Sequence, residues 1–200
     1  MKTEKLHTLP EFIAHNAITT AYGAVVAVAS VNESNFRLLM TQLDLVHFYA
    51  VFILIDGAAE VNIDDEKLNL SQHSVLRIAP MQRVESLQCS NELCGYLLLI
   101  ESTFYAEIVK SDDNLRDVIS LNVLDGHVYK VLSEAQTSEF VGIVTQIERT
   151  ITQPHVYKKE MVGFLVHLVL MHIRELISHR VTGLHGLKHK ENIFKIFICI

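Results

Sequence analysis

From Phe36 to Ile100 the apolar positions recur in short runs: FRLLM, HFYAVFILI, AEVNI, KLNL, VLRIA, RVESLQ and GYLLLI. Branched and aromatic residues dominate these runs. Turn formers separate them, at Asp56-Gly57, Asp64-Asp65, Ser71-Gln72 and Ser90-Asn91. Such runs predict strands, and many short strands in close succession predict a sandwich or barrel rather than βαβ units. Gly57, at the end of the longest run, is expected to adopt a conformation that a Cβ would resist.

After Ser102 the period changes. Ser133 and Gln136 form a capping-box pattern, and Phe140, Val141, Val144, Ile147 and Ile151 then trace one helical face. Pro154 stands where a second helix is expected to open. From Tyr157 to His179 the chain is apolar nearly all round a helix, with Val162, Phe164, Leu165, Leu168, Leu170 and Leu176 among its residues. A helix that is apolar on every side must be covered on every side. A barrel covers one face, and the preceding helix or a second copy of the chain must cover the other, with the second copy the expected answer. Leu165, Leu168, His172 and Leu176 are the predicted homodimer interface. Gly183, Gly186 and the polar run between 184 and 192 predict a linker. Beyond it, HKENIFKIFICI keeps helical spacing to the last residue and is read as the first helix of another domain, cut short.

Composition narrows the function. Half of the 200 residues are hydrophobic, enough for one sizeable core with a smaller appendage. The net charge is −6 and no block of Lys or Arg occurs, so the chain alone lacks the basic stripe that grips phosphates. Cys89, Cys94 and Cys199 are odd in number and show no CxxC spacing, which predicts buried thiols in a reducing compartment. The N-terminus lacks the apolar core of a signal peptide. The greasiest stretch, 162–173, contains His167 and His172 and is too short for a membrane span. A cytoplasmic protein with no membrane partner is expected. No Gly-rich phosphate loop, GxSxG elbow or paired-carboxylate motif is present.

The order of parts resembles the AraC family of bacterial transcription regulators. FYAVFILIDGAAEVNIDD resembles the family's cupin-like sensor hairpin, KLNLSQHSVLRIAPMQRVESL the next hairpin, and LCGYLLLIESTFYAEIV the closing strand with the helix behind it. KENIFKIFI resembles the opening of the family's C-terminal DNA-binding domain. The resemblance runs from about Phe36 onward and implies an α+β fold: a cupin-like jelly-roll β-barrel followed by a two-helix dimerisation element. It divides the chain into a ligand-sensing barrel with a covering helix (1–130), a helical hairpin for dimerisation (131–181), and a linker with the start of a truncated domain (182–200). The implied function is the sensor and dimerisation portion of a regulator. A small organic effector binds in the barrel, and DNA is reached only through the C-terminal domain, whose two helix-turn-helix units are absent.

The same resemblance bears on chemistry. Cupin enzymes hold a metal with three histidines and a carboxylate pointing into the barrel. Anchored on Gly57 and Pro80, the matching positions are Asp44, Val46, Ala50 and Val84. Three of these side chains have no lone pair to give, so no metal, no cofactor and no catalytic residue is expected. His185 and His189, four apart, have no third ligand near them in sequence. Strand alternation places Phe48, Ala50, Phe52 and Leu54 on the inward face. They are the candidate effector pocket, unless they simply fill the barrel. Arg37, Arg83 and Tyr96, and also Arg77, are polar strand residues that would fix a ligand's carboxylate or hydroxyl, or else lie at the surface. Two alternatives remain: a Crp-like cyclic-nucleotide sensor, which needs a short helix between Leu70 and Ser90, and a cupin enzyme without metal.

Overall fold

The computed structural model describes residues 8–43, 46–110 and 128–196, with side chains described to residue 177 except at 109. Helix α1 (Leu9–His15) is followed by strands β1 (Ala21–Tyr22) and β2 (Val26–Asn32) and helix α2 (Glu33–Gln42). Then come β3 (Phe48–Asp56), β4 (Ala59–Ile63), β5 (Glu66–Leu70), β6 (Ser74–Ile78), β7 (Val84–Cys89) and β8 (Cys94–Glu101). Helix α3 (Ser102–Lys110), strand β9 (Val128–Val131) and helices α4 (Glu134–Thr152) and α5 (Lys158–Ile196) complete it.

The strands form two antiparallel sheets, one in the order β1-β2-β8-β3-β6-β9 and one in the order β5-β4-β7. No strand pairing joins the sheets among the described residues, so the expected barrel is an open, barrel-like sandwich. β3 is central and apolar on both faces, because both faces are covered. Its even-numbered residues, Phe48 to Leu54, enter a core between the sheets that α1 and α2 close. Val51 and Ile53 enter a second core beneath α3, α4 and α5.

Six of the seven predicted strand runs are strands. FRLLM is the exception: it lies in α2. Phe36, Leu39 and Met40 are buried at helical spacing, and Asn32 and Asn35 form the capping box that starts the turn. A five-residue apolar run fits either period, and here the cap decides. Two turn expectations hold in detail. Asp64 and Asp65 both have positive φ (50° and 67°), the geometry of a two-residue hairpin loop. Gly57 has φ 82°, and a Cβ there would lie 2.6 Å from Ser90 Oγ and 2.8 Å from Leu93 N. Ser133 and Gln136 do cap α4 reciprocally.

The second helix opens later than expected. α5 starts at Lys158, and Pro154 lies in the preceding connection. Lys158 Nζ reaches back 2.7 Å to the Ile151 carbonyl, tying the turn to the end of α4. The α5 backbone also continues to Ile196, through the stretch expected as a linker. An isolated Gly costs a helix about 1 kcal/mol relative to Ala, so Gly183 and Gly186 weaken the helix without forbidding it. The side chains of His185 and His189, and residue Cys199, lie outside the described residues.

Candidate functional site

Phe48, Ala50, Phe52 and Leu54 stand together on the inward face, each at most 1% exposed. Their surroundings are the chain's own side chains. Phe36 of α2 sits with its ring 5.9 Å from that of Phe52, and Phe12 of α1 packs edge-on to Phe48 at 5.4 Å. Val61, Ile63, Leu70 and Val84 close the space from the smaller sheet. An effector reaching this set would first have to displace α1 or α2.

The polar candidates do not converge on that interior. Arg37 is exposed on α2, not on a strand. Arg83 is half-exposed before β7 and pairs with Glu85 at 2.7 Å and Asp65 at 3.6 Å. Hydrogen bonds from Arg83 and Asn62, with the Arg83 charge, hold the Glu85 carboxyl below its usual value. Tyr96 lies on the outer face of β8, against the helix-covered core, and burial together with nearby Glu148 raises its phenol. Three residues on three surfaces make no single ligand clamp. Arg77 departs from its expected surface position: it is 1% exposed under α3. There it shares a hydrogen bond with Tyr105, whose ring stacks on Tyr49 at 3.7 Å. Burial lowers the Arg77 pKa, and the Tyr105 hydroxyl and Tyr49 oppose that shift.

Of the positions that match cupin metal ligands, Val46, Ala50 and Val84 are buried in the apolar core, while Asp44 lies outside the described residues. Among the described residues no three His, Cys, Asp or Glu side chains cluster as a metal site. Between Leu70 and Ser90 the chain forms only β6, β7 and turns, so the short helix required by a cyclic-nucleotide sensor is missing there. No helix among the described residues is long and apolar enough to cross a membrane.

α5 carries a different candidate surface. Val162, Val166, Val169 and Ile173 enter the second core beside α3 and α4 and are at most 1% exposed. Leu165 and Leu176 are half-buried against the same core, and the His172 ring packs 5.6 Å from Phe140 of α4. Leu168 is the predicted interface residue that points outward, at 43% exposure, and Phe164, one turn earlier, is 75% exposed. Leu168, Met171, His172, Arg174 and Glu175 line an open groove of about 400 Å³ on this helix. The helical period marks an apolar cylinder without saying which part of it α3, α4 and the core beneath them cover, so Phe164 lies outside the predicted set.

A second cleft, also of about 400 Å³, lies at the edge of the larger sheet. Its walls are the loop from His15 to Thr20, the β2 residues Val28 to Ser30, the α2 residues Asn35, Leu38 and Leu39, and Glu148 of α4. β1 pairs only with Val26 and Ala27, so the outer edge of β2 beyond Val28 opens into this cleft. Asn16 Nδ2 donates to the Phe12 carbonyl at 2.9 Å and to Gln42 Oε1 at 2.6 Å. Asn16 Oδ1 is buried and meets no donor among the described residues. Partial burial raises the Glu148 carboxyl above its ordinary value. No sequence period marks this place, because a loop, a strand edge and two helices build it from residues far apart in the chain.

No protein-family model and no curated protein sequence matches this chain. Solved structures do. An apo ToxT variant from Vibrio cholerae is 13% identical, with 72% of this chain and 53% of that chain covered and a TM-score of 0.48. The AraC-like transcriptional activator CuxR is 10% identical, with 77% and 49% covered and a TM-score of 0.39. A Cupin 2 conserved barrel domain protein from Salinispora arenicola is 16% identical, with 43% and 74% covered and a TM-score of 0.28. A further ToxT structure holds an unsaturated fatty acid. The solved structures this chain resembles thus include two AraC-family regulators and a cupin barrel. The chain spans about half the length of those regulators.

Proposed function

We propose that this chain is the sensor and dimerisation part of a cytoplasmic AraC-type transcription regulator, without enzymatic activity. The sandwich receives a small organic effector. The α4–α5 pair joins two copies, and DNA is contacted only through a helix-turn-helix domain that the present sequence does not include. One observation carries this reading: α5 packs one face into the second core, against α3 and α4, and leaves Phe164 and Leu168 in water on the other. An apolar stripe on the helix that leads out of a β-domain fits a twofold contact, in which each residue is covered by its counterpart. The effector acts by changing how the helical pair is presented, and the change is bounded by its differential affinity for the two arrangements. Sedimentation velocity at micromolar concentration tests the reading. A species near twice 22.7 kDa is expected, and a monomer would overturn it.

A further inference from the structure

The cleft at the β2 edge has a chemistry that the apolar interior lacks. Among the described residues, His15 and Glu148 are the only ionisable side chains lining it, and neither Lys nor Arg reaches it. The hydroxyls of Thr19, Thr20 and Ser30 and the side chain of Asn35 add further polar groups. Leu38, 51% exposed on α2, and Leu39 and Ile18 give the cleft an apolar side. Its volume falls within the range of small-ligand pockets, which combine an apolar body with a few placed polar groups.

We propose that this cleft binds a small organic cation, with an ammonium group against the Glu148 carboxylate and a hydrocarbon or aromatic body on Ile18, Leu38 and Leu39. Two independent features favour a donor ligand. Glu148, the one carboxylate lining the cleft among the described residues, has no ion-pair partner there, and Asn16, another lining residue, has an Oδ1 that lacks a hydrogen-bond donor. The orientation of the Asn16 amide is not arbitrary, since the Phe12 carbonyl accepts only from the nitrogen end. A half-buried carboxylate is stabilised in its charged form when a cation approaches, so ligand binding and ionisation of Glu148 reinforce each other. An anionic ligand would meet that carboxylate unscreened and be repelled.

The position of Glu148 gives the site a route to the rest of the molecule. α4 packs on α5 through Phe140, Val144 and Ile147, so a ligand clamped between Glu148 and the β2 edge ties the sandwich to the helical pair. That consequence rests on the proposed sensor function; the binding itself does not.

Titration calorimetry of the whole chain with phenethylammonium tests the site, with 2-phenylethanol and 3-phenylpropanoate as its neutral and anionic counterparts. Phenethylammonium should saturate with a Kd on the order of 1 mM, as a fragment of this size allows. The alcohol should bind about tenfold more weakly and the carboxylate weaker still. Glu148→Gln and Leu38→Lys should each weaken the ammonium at least about tenfold, the first by removing the counter-charge and the second by adding a repelling one. Leu38 is exposed, so its substitution leaves the fold intact even if Glu148→Gln disturbs α4. Equal affinities for the three probes, no saturation, or affinity unchanged in Leu38→Lys would overturn the proposal. Saturable binding that shifts the methyl resonances of Ala50 and Leu54 instead of Leu38 and Ile18 would also overturn it, and would place the effector in the interior. Sedimentation of the unliganded chain is indifferent to all of these outcomes, so failure of this site and failure of the sensor reading remain distinguishable.

Discussion

Phe164 lies 75% exposed on α5, one turn before Leu168 at 43%. If this face meets its own copy, Phe164 leaves water twice, once in each protomer. Full burial of a Phe side chain contributes about 1.5–3 kcal/mol, so covering the exposed three-quarters contributes about 1–2 kcal/mol per copy. Phe164→Ala therefore removes roughly 2–4 kcal/mol from the dimer, and at 1.4 kcal/mol per decade the Kd rises about 30- to 1,000-fold. Sedimentation equilibrium over a wide concentration range reads this directly. The monomer should hardly notice, since the ring is already wet before association. Ile173, 1% exposed on the opposite face of α5, is the control. Ile173→Ala should lower the free energy of unfolding by about 2–5 kcal/mol through loss of core packing. A Kd for Phe164→Ala within threefold of the unaltered chain would refute the argument, because no interface that buries this ring is so indifferent to it.

Phe52→Ala should destabilise the chain by about 3–5 kcal/mol in urea unfolding, because Phe36 and its neighbours leave no room to spare; a loss under about 1 kcal/mol would mean an open interior. Gly57→Ala combines a left-handed φ with a Cβ 2.6 Å from Ser90 Oγ, so a loss of at least about 2 kcal/mol and a Tm lower by roughly 4–8 °C are expected by calorimetry. Glu101 caps α3, accepting from Thr103 N at 2.8 Å and Phe104 N at 2.9 Å; burial opposes ionisation, but the hydrogen bonds from Thr103 and the following amides outweigh it and lower the carboxyl's pKa. The stabilisation is therefore present above the ordinary value of 4.5 and lost as pH falls through the lowered folded value. Glu101→Gln should be less stable than the unaltered chain at pH 7, with the difference shrinking below pH 4.5 in acid titrations of unfolding.

Strand runs bounded by turn residues were legible because period-two alternation and backbone constraints act locally. Asp64-Asp65 and Gly57 needed no tertiary knowledge. α2 was hidden because FRLLM is short enough to satisfy either period, although the Asn32 and Asn35 cap was present in the sequence. The VAVASV run of β2 carried a strand pattern too, but without flanking turn signals as clear as those after Phe36. Ligand residues were a harder matter. Strand parity put Phe48, Ala50, Phe52 and Leu54 on the inner face, yet parity cannot say what fills the space they face. Here α1 and α2 fill it; α1 precedes the recognisable pattern, and α2 holds the run whose short length reads equally as a strand. Arg37, Arg83 and Tyr96 scattered because convergence on a site belongs to the tertiary fold. Arg77 became buried because Tyr105, on the helix packed against β3 and β8, offers its hydroxyl beneath an apolar cover.

The central claim is that α5 pairs two copies so that attached domains can read DNA together. Joining a helix-turn-helix domain that holds a palindromic operator only as a pair to the C-terminal end of this chain puts that claim to a mobility-shift assay. The fusion should retard the operator at concentrations where the free domain does not, and Leu168→Glu should abolish the gain by burying an unpaired charge at the contact. Retardation no better than that of the free domain, or retardation undiminished in Leu168→Glu, would contradict the account.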